Sequence, residues 1–515
     1  MLSLKSALNF REFMWDYPSY IKRKSPASYI ILSLIIIIVL FFILFKNGFY
    51  SLKLSASQSY IEGVVANTTY YNPYSKNNNQ TFIKDVNRLM FSRLIYEKSN
   101  GSIENIVAKS IKEEDNYTKY VISLHKHFYF SNGVNITAKD IVYSFNFEKE
   151  YFPSSMLSNI SIYRISKYKV EFLLKRLDVT FYQDINFFIV PFGSNYILNT
   201  QNIISSGEYK MDYLTNNKIV LTENKYYFYG KPHFKYFVIQ IFNNYKEIIK
   251  NLKRDQIDGA YIGGKYHNIY SYHNLNVYTY PLVTNYVALF FNLNKVTSIT
   301  LRNALSYSLS PRYISTNIMR GTVSPMYTSI PSTSWAFDPK TTTFNFNQKK
   351  AADLLSGNQY NLKIYYINTI PQSLVNYIKQ NWSNIGVNAI FVPENTINID
   401  SIIKSKNYDG ILTSVNTSID PNMFSLWYSK SNQNISQLNN SEIDRLLLVG
   451  VSTLNINDRK ETYSLIAQSI QNINPAIFLY SNNFVYVANK TIKNLNFNFV
   501  SYPYDRFLYS YKWYN

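Results

Sequence analysis

The sequence predicts an α/β protein preceded by one membrane-spanning helix, on three observations. Strand-like and helix-like segments alternate cleanly from Leu362 to Val415. One long apolar stretch, flanked on one side by basic residues, lies near the N-terminus. The chain has 515 residues with 46% hydrophobic content, enough to bury more than one core and to suggest roughly two to four domains.

From Ala27 to Phe45 the chain is apolar apart from Ser28, Tyr29 and Ser33, about the length needed to cross a bilayer. Lys22, Arg23 and Lys24 precede it and only Lys46 follows closely, so the positive-inside rule places residues 1–26 in the cytoplasm and the remainder outside. A cleaved signal peptide is the competing reading. The apolar run exceeds a usual h-region, and the nearest small-residue site, around Ser55 to Ser57, lies far beyond it, which favours an uncleaved anchor. With no cysteine in the chain, disulfides, thiolate metal sites, cysteine nucleophiles and attachment of lipid to an N-terminal Cys are excluded.

Further along, an extended run ends at Phe130, Asn132-Gly133 makes a turn, and Thr137 caps a helix with Asp140 three residues later, burying Ile141, Val142 and Phe145. A helix near Leu301 to Leu309 puts Leu301, Ala304, Leu305 and Ser308 on one face; Ser310-Pro311 starts another, which stops at Gly321. Then comes a β-α-β-α-β unit: strand Leu362–Ile367, helix Ser373–Ile385 stopped by Gly386, strand Val387–Val392, helix Ile399–Lys404 and strand Ile411–Val415. Right-handed crossovers would set these strands in a mainly parallel sheet, whose ligands gather at the carboxyl ends of strands. The loop after Val415, Asn416 to Pro421, is therefore a candidate site, with Thr417, Ser418 and Asp420 able to hydrogen-bond a ligand; an ordinary polar turn is the simpler reading.

The net charge of +20 is spread in short clusters without a basic stripe, so nucleic acid is not an expected partner. Charged residues make up only 16%, leaving a surface of Asn, Ser, Thr and Tyr suited to uncharged or peptide-like ligands. Gly259, Gly264 and Lys265 fit part of a phosphate-binding loop, but Tyr266 stands where a magnesium-binding hydroxyl belongs. His125 and His127 would share one strand face, yet five histidines and no cysteine make a resident metal site or cofactor unexpected. No G-x-S-x-G elbow, H-E-x-x-H helix or paired-carboxylate motif is present, so the chain is not expected to be an enzyme.

Phe130-Ser-Asn-Gly133 with Thr137-Ala-Lys-Asp140-Ile141 resembles a signature of the family 5 extracellular solute-binding proteins, the oligopeptide and dipeptide receptors of ABC importers. Tyr71-Asn-Pro73, Leu94-Ile-Tyr96 and Ile106-Val-Ala108-Lys-Ser110 precede it in the family's order. Ser206-Gly-Glu-Tyr209-Lys210, Glu223-Asn-Lys-Tyr226-Tyr227, Asp255-Gln-Ile-Asp258, Leu301-Arg-Asn-Ala304-Leu305, Asp420-Pro421, Ile443-Asp-Arg-Leu446-Leu447 and Asp458-Arg459 continue the series. Each element is weak alone; their colinearity over most of the chain is specific.

The resemblance implies a two-lobed, type II periplasmic-binding-protein-like clamp with an inserted extra domain, its lobes closing on ligand about a two-strand hinge. It maps lobe I to residues 57–80, 201–280 and 479–515, the insertion to 81–200 and lobe II to 281–478. It also implies an ABC permease partner and a peptide or similar small solute. Two segments that face the cleft in the family match Thr68, Thr69 and Tyr70, and Ser414, Asn416, Thr417 and Ser418, here the expected ligand-binding residues. An Asp that anchors the peptide ammonium in the family is replaced here by Thr417, the aromatic opening that loop by Ser414, and an Asp at a helix junction by Ser310. A charge-assisted hydrogen bond is thereby missing at position 417, which leaves sugars or other solutes open as ligands. A ligand sensor signalling through the anchor and an extracellular hydrolase on the same scaffold are the alternatives.

Overall fold

Two long strands organise the molecule, one buried along nearly its whole length and the other mainly in its second half, and the rest is arranged on either side of them. The computed structural model describes residues 58–68, 70–74, 81–151, 157–194, 202–263 and 273–515. The expected anchor at 27–45, its N-terminal tail and the Gly264-Lys265-Tyr266 turn lie outside the described residues. Among the described residues no helix is long and apolar enough to cross a membrane. Residues Ser59 to Asn515 form one packed unit.

The strands in chain order are β1 (Ser59–Val65), β2 (Ile95–Glu97), β3 (Ile103–Asn105), β4 (Ala108–Glu114), β5 (Lys119–Leu124) and β6 (Ile160–Ser166). They continue with β7 (Lys169–Leu174), β8 (Tyr209–Leu214), β9 (Lys218–Glu223), β10 (Tyr236–Phe242), β11 (Gly259–Tyr261) and β12 (Leu275–Phe291). The last are β13 (Val323–Pro325), β14 (Tyr360–Ile367), β15 (Val387–Glu394), β16 (Gly410–Asn416) and β17 (Ala476–Asn489). The main sheet runs β15-β14-β16-β12-β17-β11-β1-β10-β9-β8, with β13 added to β17. A separate antiparallel sheet, β4-β5-β7-β6, packs against the helix Ala138–Tyr151.

The antiparallel pair β12 and β17 spans the sheet's centre, with β11 and β1 on one wing and β16, β14 and β15 on the other. Its register breaks between Pro281 and Tyr286, at the point where the two wings meet. Pro281 has no amide hydrogen to donate, so a ladder bond is missing there in any register.

In the second wing the β-α-β-α-β unit is present, its strands parallel, with helices Gln372–Ser383 and Thr396–Ser405 between them. The sheet as a whole differs from the mainly parallel expectation. It is mixed, because β12, β17 and β9 run antiparallel to their neighbours and come from segments outside that unit.

Alternate side chains of β12 face opposite layers, as the two-residue strand repeat requires. Val287, Leu289 and Phe291 enter a core with Leu305, Leu374, Ile378 and Trp382. Tyr286, Ala288 and Phe290 enter another with Trp427, Leu447, Tyr463 and Ile466. Helices thus cover both faces of this wing, and β16 pairs with β12 along its whole length while β14 flanks it only as far as Leu412.

The capping expectations hold locally. Thr137 donates its N–H and its hydroxyl to Asp140 Oδ2, both at 2.8 Å, and Gly133 adopts φ 81° in the turn before it. Ser310 Oγ accepts from the Tyr313 N–H at 3.1 Å, and the following π turn, Ile314–Ile318, runs into Gly321 at φ 76°.

Candidate functional site

The chain leaves β16 at Asn416, and β12 holds both the end of that strand and the first residue of the loop that follows. Thr417 is bound twice to that strand: its N–H donates to the Thr284 carbonyl and its hydroxyl to the Val283 carbonyl, each at 2.9 Å. Asn285 Nδ2 donates to Ser414 Oγ at 2.9 Å and to Asn416 Oδ1 at 2.8 Å, and its own Oδ1 accepts from Asn482 of β17. The Ser418 hydroxyl donates to the Asp420 carbonyl. The loop is therefore built on the register break of the central strand pair, so movement at that break would reach it directly.

Asp420, next in line, is a buried post rather than a ligand-facing group. Arg459 pairs with its Oδ2 at 2.8 Å, the Tyr463 hydroxyl donates to Oδ1 at 2.9 Å, and the guanidinium lies 4.9 Å from the Trp335 ring centre. Burial pushes the Asp420 carboxyl up, while Arg459 and Tyr463 pull it back.

The loop opens onto a cleft of about 1410 Å³ lined by Ser414, Val415, Asn416, Thr417 and Ser418 together with Tyr286. One wall comes from Asp400 and Lys404 of the helix Thr396–Ser405 and from Leu448 to Ser452 at the end of the helix Ser441–Ser452. Another part of the lining is the segment Arg176 to Asp184, where Asp178 Oδ1 accepts from the Thr180 N–H and hydroxyl at 2.9 and 2.6 Å just before the short helix Phe181–Asp184. Burial and the neighbouring Asp178 push the Asp184 carboxyl up to about 7. The volume exceeds the roughly 300–1,000 Å³ of ordinary small-molecule pockets. Hydroxyls and amides dominate its polar lining: Thr180, Gln183, Ser425, Asn432 and Gln433 join the loop residues.

Of the residues expected from sequence, Ser414, Asn416, Thr417 and Ser418 stand together on this cleft. Thr68 and Tyr70 do not line it; Tyr70 is 61% exposed just beyond β1 and its N–H donates to Thr68 Oγ1 at 2.9 Å. Thr69 lies outside the described residues. The 176–184 wall went unforeseen. Its one sequence signal is Asp178-x-Thr180, which marks a turn and says nothing about what that turn faces. Among the described residues, no group of three or more His, Cys, Asp or Glu could hold a metal ion.

The family described as "Bacterial extracellular solute-binding proteins, family 5 Middle" matches residues 102–437. The oligopeptide-binding protein AppA of Bacillus subtilis is 23% identical over 479 residues, covering 82% of this chain and 86% of AppA. Among solved structures, the ABC transporter substrate-binding protein CtaP of Listeria monocytogenes superposes with a TM-score of 0.77 at 23% identity, over 88% of this chain and 99% of CtaP. NikZ of Campylobacter jejuni in complex with Ni(L-His) superposes with a TM-score of 0.69 at 21% identity, over 89% and 100% of the two chains. These superpositions identify the fold: two layered α/β wings sharing one central strand pair.

Proposed function

Because the chain belongs to the bacterial extracellular solute-binding proteins of family 5, which bind solutes without transforming them, we propose that it captures peptides and hands them to an ABC importer permease. The observation that carries this reading is the cleft of about 1410 Å³, too roomy for a single amino acid and lined along one side by the polar loop that ends β16. Hydroxyls and amides there suit the donors and acceptors of a peptide backbone, while Phe424 and Leu448 offer apolar surface to its side chains.

In this reading residues 57–80, 201–280 and 479–515 form lobe I, 81–200 the insertion and 281–478 lobe II. The lobes close by bending where β12 and β17 lose register, at Pro281 and Asn483. Closure excludes water and strengthens each hydrogen bond to the trapped solute, so ligand binding and closure are thermodynamically linked. The segment Ala27 to Phe45 anchors the body on the outer face of the cytoplasmic membrane, within reach of the permease. Thr68, Thr69 and Tyr70, matched through the family resemblance, add contacts from lobe I only on closure.

Thermal melting of the purified protein against peptides of two to nine residues, oligosaccharides and nickel–histidine tests the ligand class. Peptides are expected to raise the melting temperature in a saturable manner. Stabilisation by sugars or the nickel complex alone would replace the peptide reading.

A further inference from the structure

A second cavity, of about 30 Å³, lies away from the cleft, between the helix Thr81–Met90, the approach to β8 and the last helical segment, Pro503–Lys512. Such a volume holds one or two water-sized species. Arg88, Arg93 and Glu208 line it, being 7%, 7% and 3% exposed. Nε and Nη2 of Arg88, Nε of Arg93 and Oε2 of Glu208 are buried without any hydrogen-bond partner. Three unsatisfied guanidinium N–H donors in one place are costly unless something accepts from them.

We propose that this cavity binds one small monovalent inorganic anion, with chloride as the natural occupant, accepting from the guanidinium groups of Arg88 and Arg93.

The excess of donors favours an anion over water. Burial lowers the proton affinity of Arg93, and the nearby Arg88 lowers it further, so two like charges share the pocket. Asp505 is buried beside both, and Glu148, whose carboxyl burial pushes up to about 7, acts on Arg93 as well. Glu104 on the rim is already used, taking Lys98 at 2.9 Å and the Tyr509 hydroxyl at 2.5 Å. Burial pushes the Glu208 carboxyl up to about 8, so near neutral pH it is mostly protonated and can itself donate. Its Oε1 is engaged by the Ser510 hydroxyl, leaving Oε2 toward the cavity. Four donors without acceptors suit a species that only accepts, whereas a water molecule would need acceptors for its own two hydrogens. The ion would join the helix Thr81–Met90 to the C-terminal segment.

The test uses the full chain, crystallised with bromide replacing chloride, and melted in sodium chloride against sodium gluconate at equal ionic strength. An anomalous bromide peak between Arg88 and Glu208 is expected, with melting raised by about 2 °C in the halide. Arg88→Met should abolish the halide increment and Arg88→Lys should weaken it, whereas Glu208→Gln, which keeps a donor, should retain it. Absence of the peak together with melting indifferent to the anion would overturn the proposal, leaving a water that bridges Arg88 and Glu208. Neither result bears on whether the cleft takes peptides.

Discussion

The hydroxyl of Thr417 donates to the carbonyl oxygen of Val283 at 2.9 Å, so the side chain expected to meet a ligand is turned onto the central strand instead. A carboxylate at this position could not donate there and would swing toward the cleft. Thr417→Asp should therefore lose roughly 1 kcal/mol of stability with the broken bond. It should gain about tenfold in affinity for peptides with a free amino terminus, through a charge-assisted hydrogen bond. Calorimetric titration with matched free and acetylated peptides reads this. Equal affinities for the two in the variant would show that position 417 does not face the ligand's amino end.

Asn285 ties Ser414 and Asn416 to β12 and is itself held by Asn482 of β17, which makes it the link between hinge strands and loop. Asn285→Leu removes these bonds at a part-buried site. Peptide affinity should fall about tenfold while the fold survives, since each lost bond is worth on the order of 1 kcal/mol. Retained affinity in a variant of lowered melting temperature would mean that the network serves stability alone.

Stability should decline as the solution is made alkaline. Burial pushes the Glu97 carboxyl up to about 8; Asp420 adds to the effect, and Arg459 and Gln183 oppose it. Burial likewise takes Glu208 to about 8 and Glu148 to about 7, the latter against the pull of Arg93. For an acid whose pKa is higher in the folded state, the native protein holds more protons than the unfolded chain between the two values. The stabilisation is thus fully present below about 4.5, the ordinary glutamate range, and is lost as pH rises toward 8. Melting temperature should fall by several degrees between pH 5 and pH 8.5, and Glu97→Gln should flatten part of that slope. A profile rising over this range would contradict the burial of these carboxyls.

What could be read from sequence follows the range of the interaction. The unit from Tyr360 to Asn416 was legible because apolar spacing and stops such as Gly386 are local, and its bounds shift by three residues at most. Thr137 with Asp140 and Ser310 with Tyr313 are likewise contacts of three residues. The mixed character of the sheet was hidden, since β12 finds β17 across some 200 residues and nothing in either strand names its partner. For the same reason the loop Ser414 to Ser418 could be singled out while the lining segment Arg176 to Asp184 could not. The Thr417 hydroxyl invited a role in binding because a sequence shows what a side chain can bond, not which bond it has already made.

The contact least visible in sequence joins three segments far apart in the chain. Arg506, 1% exposed, sends Nε and Nη2 to Glu62 Oε1 at 3.0 and 2.8 Å, and Nη1 and Nη2 to Asp85 at 2.8 and 2.9 Å. Tyr486 on β17 completes the set, donating to Glu62 Oε2 at 2.6 Å. One guanidinium thus pins β1, the helix Thr81–Met90 and the C-terminal segment together. Arg506→Met would leave two buried carboxylates without their cation, at a cost of about 3–5 kcal/mol. The triple variant Glu62→Gln, Asp85→Asn, Arg506→Met removes all three charges and should recover much of that loss, because the penalty comes from the orphaned charges rather than from the missing attraction. Urea unfolding of both variants separates the two. A triple variant no more stable than Arg506→Met alone would place the contribution of Arg506 in its packing against the Phe507 ring, 4.0 Å away, instead of in its charge.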